Sequence, residues 1–283
     1  MPSLSLKASI NCPIIGGSSG SPYDPDAFAW FNAVEATGAN FGASSESISS
    51  NKTAFNTAFL SLKSAGIWSA IRQACFLVGP STLAGALVNI KLTGNPVNYN
   101  FTSEFYNKLT GLSGRLPNSI GNTNRYLDTL LNDSTDINGL DFHMCVDATN
   151  SFTIPLSGTE AIFGSNNDGA QTGGDIFISE SEGGYIVSPN SYESFAFSGP
   201  ELCFSRLDGD VTFPKSPFGW GTYATDYADY FSGNNFLLFK TIGNVSANNL
   251  LYDGTISFYS IGTSTNVEAM IGIINQLKNS LVS

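Results

Sequence analysis

Charge is what this 283-residue chain has least of: Asp, Glu, Lys and Arg together make up 12% of it, against roughly 25% in an average soluble domain. Lys and Arg number 12 against 23 Asp and Glu, for a formal net charge of −11. No basic cluster could neutralise a phosphate backbone, which argues against nucleic acid as a partner. Gly, Ser, Asn and Thr supply the polar surface instead. Histidine is nearly absent as well, His143 being the only one. A Ser-His-Asp arrangement would have to use it, and no Gly-x-Ser-x-Gly elbow accompanies it, so nucleophilic catalysis is not expected. No apolar run approaches the ~20 residues of a membrane span. The opening MPSLSLKASINCPIIGG lacks an apolar core followed by a small-residue cleavage site. The expectation is a soluble, unprocessed product with no membrane partner.

Cysteine is sparse and scattered. Cys12, Cys75, Cys145 and Cys203 lie far apart with no C-x-x-C pair, so neither a zinc site nor a redox motif is signalled. They read as isolated buried thiols behaving as small hydrophobes. No metal and no cofactor is implied.

What the chain does have is apolar content, 42% of its residues, enough for one large core or a core with a small accessory unit. Residues 1–24 contain GGSSGSPYD and read as a flexible assembly arm. Residues 25–91 read as a helical N-terminal region. There, Asp24 is placed as N-cap and Pro25 at the first helical position, with Phe28, Phe31 and Val34 on one face and Gly38 beyond the end. A second helix carries Phe55, Phe59 and Leu62 at helical spacing beside Ala54 and Ala58, and closes on a left-handed Gly66 with Ile67 and Trp68 folded back. The stretch SAIRQACFLVGPSTLAGALVNIKLTGNP fits either a third helix or buried strands.

Residues 92–283 read as a β-sandwich with a closing helix. Alternating runs such as LDFHMCVDA, DIFIS, NFLLFKTIG and GTISFYSIG are separated by Gly, Asn, Asp and Pro. Asp208-Gly209 marks a type I′ hairpin between ELCFSRL and DVTFPKS. The chain then ends on an amphipathic helix, with a capping box from Thr265 and Glu268 and an apolar stripe of Val267, Met270, Ile271, Ile274, Leu277 and Leu281. Such a stripe must be buried, most simply against the N-terminal helices or a partner subunit.

Several segments taken in order resemble a family. FNTAFLSLKSAGIWSAI is similar to a Leu-Lys-x-x-Gly-Leu-Trp helix end, and ALVNI follows it. GNTNRYLDTLLN is similar to a Gly-x-x-x-x-Tyr-Ile-Asp-Thr opening strand, ELCFSRLDGDVTF to a Ser-Arg hairpin, and NNLLYDGTISFYSIGTSTNVEAMIGIINQLKNSL to a closing strand and helix. Together, from Phe55 to Leu281, they resemble phage virion proteins that carry a concanavalin A-like (laminin G-type) jelly roll after an α-helical region. The resemblance implies a mainly β, jelly-roll sandwich and a structural role in the virion, as a tail, fibre or capsid-decorating protein. It also implies other virion proteins as partners and assembly as a homo-oligomer. It supplies no catalytic residue, and the insert NYNFTSEFYNKLTGLSGRLPNSI departs from its pattern. The alternative is a lectin-like module that reads a host surface glycan.

Candidate chemistry is thin. In LDFHMCVDA, alternation puts Asp141, His143, Cys145 and Asp147 on one face, opposite Leu140, Phe142, Met144 and Val146. A metal site there would need ligands from elsewhere, so the expectation is a polar, partly solvated sheet face. Glu180 and Glu182 could act as a glycosidase pair, but Gly183-Gly184 ends their strand at once, so hydrolysis is not expected. Asn166, Asn167 and Asp168, like Asp208 and Asp210, are explained by turn chemistry as readily as by calcium. Trp220, Tyr223, Tyr227 and Tyr230 could stack on sugar rings or, at their near-helical spacing, form a packing or subunit contact.

Overall fold

In the computed structural model, the described residues are 21–115, 124–132, 135–137, 141–148, 159–165, 175–179, 185–188, 191–194, 201–207, 210–215, 219–224, 234–240 and 254–282. Helix α1 (Pro25–Ala36) begins where local chemistry dictates. The Asp24 carboxylate accepts from the amides of Asp26 (3.0 Å) and Ala27 (3.3 Å), and Pro25 takes a position where a missing N–H costs nothing. Its buried face is Ala27, Trp30, Phe31 and Val34, while Phe28 is 43% exposed, contrary to the expected stripe. Trp30 wins the inner position because its indole N–H can donate to the Val88 carbonyl (3.1 Å), and its ring meets Phe31, Phe41, Phe55, Phe59 and Phe76.

Helix α2 (Ser45–Ser64) is capped by Ser44 and buries Phe55, Ala58, Phe59 and Leu62, as their spacing predicts. It closes on Gly66 at φ +73°, with the Gly66 amide bonded to Lys63 and the Ile67 amide to Leu62. The stretch that read as helix or strand contains one of each, strand β1 (Ile71–Phe76) and the short helix α3 (Leu83–Ala86).

The strands that follow are β2 (Val97–Tyr99), β3 (Tyr106–Asn107), β4 (Gly111–Ser113), β5 (Tyr126–Asn132), β6 (Asp141–Ala148), β7 (Thr159–Gly164), β8 (Asp175–Ser179), β9 (Tyr185–Ser188), β10 (Ser191–Ser194), β11 (Glu201–Leu207), β12 (Asp210–Lys215), β13 (Gly219–Ala224), β14 (Asn235–Leu238) and β15 (Thr255–Gly262). Helix α4 (Val267–Ser280) closes the fold. They form two antiparallel sheets. The first runs β13-β12-β11-β6-β15-β4-β3, with β1 also paired to β15, and the second runs β10-β9-β8-β7-β14-β5-β2. Leu207 faces Asp210 across β11 and β12, the register of a two-residue hairpin, while Asp208 and Gly209 lie outside the described residues.

The first sheet is the middle of three layers. One core joins it to the second sheet through Phe142, Met144, Val146 and Tyr259 on one side and Leu127, Phe163, Phe236 and Leu238 on the other. A second core lies on its opposite face, where Cys145, Cys203 and Phe258 meet Phe55, Phe59, Met270 and Ile274 of the helices. Strand β15 is therefore buried from Ile256 to Gly262 on both faces, which accounts for its near-continuous apolar reading.

Helix α4 buries Val267, Met270, Ile271, Ile274 and Leu277, with Leu281 packed at the margin. Its cap differs from expectation. The Thr265 amide is drawn away to the Ser205 hydroxyl (2.8 Å), and Asn266, one residue on, accepts from the Ala269 amide (2.9 Å). The predicted packing of terminal helix against N-terminal helix is present. Asn51 of α2 donates to the Val282 carbonyl and accepts from the Val282 amide, both at 2.9 Å.

The isolated-thiol expectation fails for two cysteines. Cys145 and Cys203 are directly opposed in the β6–β11 register and form a disulfide with their Cα atoms 4.0 Å apart. Fifty-eight residues of sequence separation hid the pairing. Cys75 is a free thiol, fully buried, and burial pushes its pKa up to about 12. Cys12 lies outside the described residues. A loop of 58 residues corresponds to a chain-entropy stabilisation of about 4 kcal/mol. Guanidinium unfolding with and without reductant is expected to show a loss of unfolding free energy of that order, read as a lower midpoint, and Cys203→Ala is expected to remove the reductant effect.

Candidate functional site

The face of β6 that carries Asp141, His143, Cys145 and Asp147 has the predicted parity, but it is not solvated. His143, Cys145 and Asp147 are fully buried because the apolar stripe of α4 and the helices beside it roof this face. Each polar group is met from the closing segment. The Asp141 carboxylate accepts from the Ser264 amide at 2.7 Å. His143 Nδ1 lies 2.6 Å from the Thr263 carbonyl and Nε2 lies 2.8 Å from the Ser260 hydroxyl. A carbonyl only accepts, so Nδ1–H donates to it and Nε2 accepts from Ser260, the neutral tautomer. Burial lowers the His143 pKa to about 4, against the opposing pulls of the Thr263 carbonyl and Asp141. Asp147 pairs with Lys278 Nζ of α4 at 2.6 Å, and the Ser257 hydroxyl donates to the same carboxylate. This face anchors the closing helix rather than holding a reactant. Among the described residues, no group of three His, Cys, Asp or Glu side chains could hold a metal ion.

The aromatic residues singled out by sequence do not form one constellation on the described chain. Trp220 and Tyr223 sit on β13, the edge of the first sheet, opposite Pro214 and Val211. Three residues along a strand do not share a face, so the helical repeat does not hold for them. Tyr227 and Tyr230 lie outside the described residues, as do Glu180, Glu182, Asn166, Asn167 and Asp168.

A different aromatic site emerges on the second sheet, on the face turned away from the inter-sheet core. Strand β2 pairs with β5 so that Tyr99 faces Tyr126 and Val97 faces Asp128, while the intervening Leu127 enters the core. The two tyrosine rings stack with centroids 4.4 Å apart and planes 11° from parallel. Lys240 Nζ lies 4.6 Å from the Tyr126 centroid and donates to Asn124 Oδ1 at 3.3 Å. Asn100 donates to the Asn124 carbonyl (2.9 Å), and Asn235 donates to the Asp128 carboxylate (3.1 Å). Tyr99 is 39% exposed, and among the described residues Tyr126 is the only ring stacked on it.

Local backbone positions this platform. Asn100 and Asn124 hold φ +67° and +94°, a region in which Asn is enriched several-fold over other side chains. Strand β2 is an edge, but Pro96 precedes it and the left-handed Asn100 ends it, which blunts strand addition. The site thus offers rings and side-chain amides rather than a free backbone ladder. Burial raises the pKa of the Tyr126 hydroxyl, helped by Tyr99 and Asp128, and burial lowers that of Lys240. Alternation in RYLDT could have placed Tyr126 and Asp128 on one face. Nothing in sequence spacing links them to Tyr99, which lies in the insert, or to Lys240.

No protein-family model and no curated protein matches the chain. Among solved structures, it is similar to a Ruminococcus gnavus IT-sialidase CBM40 bound to α2,3-sialyllactose, at 10% identity over 47% of this chain and 82% of that one, with a TM-score of 0.36. It is similar to the binding domain of botulinum neurotoxin serotype D at 12% identity, covering 72% of this chain and 51% of that one, with a TM-score of 0.40. A Trypanosoma rangeli sialidase in complex with sialic acid aligns at 9% identity over 50% of this chain and 24% of its own length, with a TM-score of 0.35.

Two outcomes test the buried face. Unfolded histidine binds its proton near pH 6.5, whereas folded His143 does so only at about 4. The unfolded state therefore holds more protons between those values. Its contribution is complete above about pH 6.5 and is lost as pH falls towards 4, by ~3 kcal/mol. Urea midpoints across this range should fall less steeply for His143→Asn than for the unaltered chain. Lys278→Met strips Asp147 of its ammonium and is expected to cost about 3–5 kcal/mol. Adding Asp147→Asn should recover most of that loss in the same denaturation assay.

Proposed function

We propose that this chain is a non-enzymatic recognition module that binds a carbohydrate ring on the Tyr99–Tyr126 platform, presented by a concanavalin A-like jelly roll. The observation that carries the reading is the stacked tyrosine pair, held rigid by Lys240 on Tyr126 and left open at Tyr99. A pre-stacked ring loses little freedom on binding, and its apolar face suits the C–H face of a sugar. Asn100, Asn235 and Asp128 stand at its rim, hydrogen-bonded within the protein, and the Asp128 carboxylate keeps lone pairs that a sugar hydroxyl can use. One such contact is worth ~1 kcal/mol, so useful affinity needs several copies acting together.

A second reading adds a location: a structural component of a phage virion, in a tail, a fibre or a capsid decoration, assembled with other virion proteins as a homo-oligomer. What supports it is the order of the family-like segments, among which the helix end at Gly66–Trp68, β15 and α4 contribute to one helix–sheet core. Light scattering tests this reading, a strict monomer without affinity for virion proteins counting against it.

For the recognition reading, a glycan array probed with the whole chain and with Tyr99→Ala is decisive. Binding is expected to drop about fivefold, equivalent to ~1 kcal/mol, with a cooperative melting transition retained. Absence of binding to every glycan by the unaltered chain would sink it.

A further inference from the structure

Among the described residues Lys52, Lys63 and Lys278 pair with carboxylates, whereas Lys91, Lys108 and Lys240 do not, and of these three Lys240 is the one that lies over the Tyr99–Tyr126 pair. Lys52 pairs with Glu35 at 2.6 Å, Lys63 with Asp24 at 2.7 Å and Asp26 at 2.6 Å, and Lys278 with Asp147 at 2.6 Å. Lys91 lies over a ring as Lys240 does, 4.0 Å from the Trp68 centroid, but it donates to the Trp68 carbonyl and has Asp26 within electrostatic reach. Lys240 is half-buried, and among the described residues no carboxylate pairs with it. Its contacts are the Tyr126 ring and one neutral amide oxygen at 3.3 Å, long for a bond from a charged donor. Asp128 shares the platform but is engaged by Asn235 and by the Leu130 amide. In a chain with 23 acidic and 12 basic residues, a cation left without an acid beside an exposed ring pair is complementary to an anion supplied from outside.

We infer that the ligand of the Tyr99–Tyr126 platform is an acidic oligosaccharide whose carboxylate or sulfate sits at Lys240. This rests on the recognition reading above. The layout also sets the ligand's length. Tyr99 and Tyr126 come from the adjacent strands β2 and β5, and Lys240 lies two residues beyond β14, the next strand. Two strand spacings amount to ~10 Å, and Tyr126 stands between the open ring of Tyr99 and the ammonium. A single sugar stacked on Tyr99 cannot reach Lys240. A chain of two or more sugars running across the strands can.

The test is calorimetric titration of the whole chain with α-1,4-linked tetragalacturonate, its carboxyl-reduced neutral counterpart, a sulfated galactan tetrasaccharide and galacturonate monosaccharide. The two anionic tetrasaccharides separate a carboxylate preference from a sulfate one. At least one is expected to bind tenfold or more tighter than the neutral form and the monosaccharide, with affinity falling as salt rises. Lys240→Gln should erase the anionic preference, Lys240→Arg should retain it, and Tyr99→Ala should weaken all tetrasaccharides alike. Equal binding of neutral and anionic forms, still lost in Tyr99→Ala, overturns this inference and leaves the recognition reading standing. Binding of none of the four overturns this inference, while the glycan array decides the recognition reading separately.

Discussion

The closing helix is held to the first sheet by an ion pair taken out of water, Asp147 with Lys278, and the rest of the architecture depends on that attachment. A carboxylate with no exposure is tolerable only when charge and hydrogen bonds meet it. Lys278 and Ser257 do so from α4 and β15 at once. With α4 in place, the polar side of β6 becomes an interior, and β15 acquires a second buried face. The helical layer then has a surface to rest on. Without it, His143 and the Cys145–Cys203 bridge would stand in solvent beneath an uncovered apolar strip.

How much of this was readable beforehand divides along the range of the interactions. Asp24, Pro25 and Gly66 were legible because capping acts over a few neighbouring residues. The parity of His143 and Asp147 was legible for the same reason. That α4 would cover them was not, since the answer lay more than a hundred residues downstream. The disulfide escaped because only strand register brings Cys203 opposite Cys145. Phe28 and Thr265 were misplaced by single steps. At each a long-range partner decided, the Val88 carbonyl for the Trp30 indole and the Ser205 hydroxyl for the Thr265 amide.

The platform was the least legible feature. Tyr99 and its partner Tyr126 lie on separate strands, and only the β2–β5 register brings them together. The described part of the protein uses its polar chemistry largely to hold layers together, and at this edge a ring pair faces outward.

The three-layer stack has a directional consequence. Helices occupy one outer side and the tyrosine pair the other, with two sheets ~10 Å apart between them. A body seated on the helical side leaves the opposite side unobstructed. The described part of the molecule is thus bifacial, with helices at its back and an aromatic pair at its front.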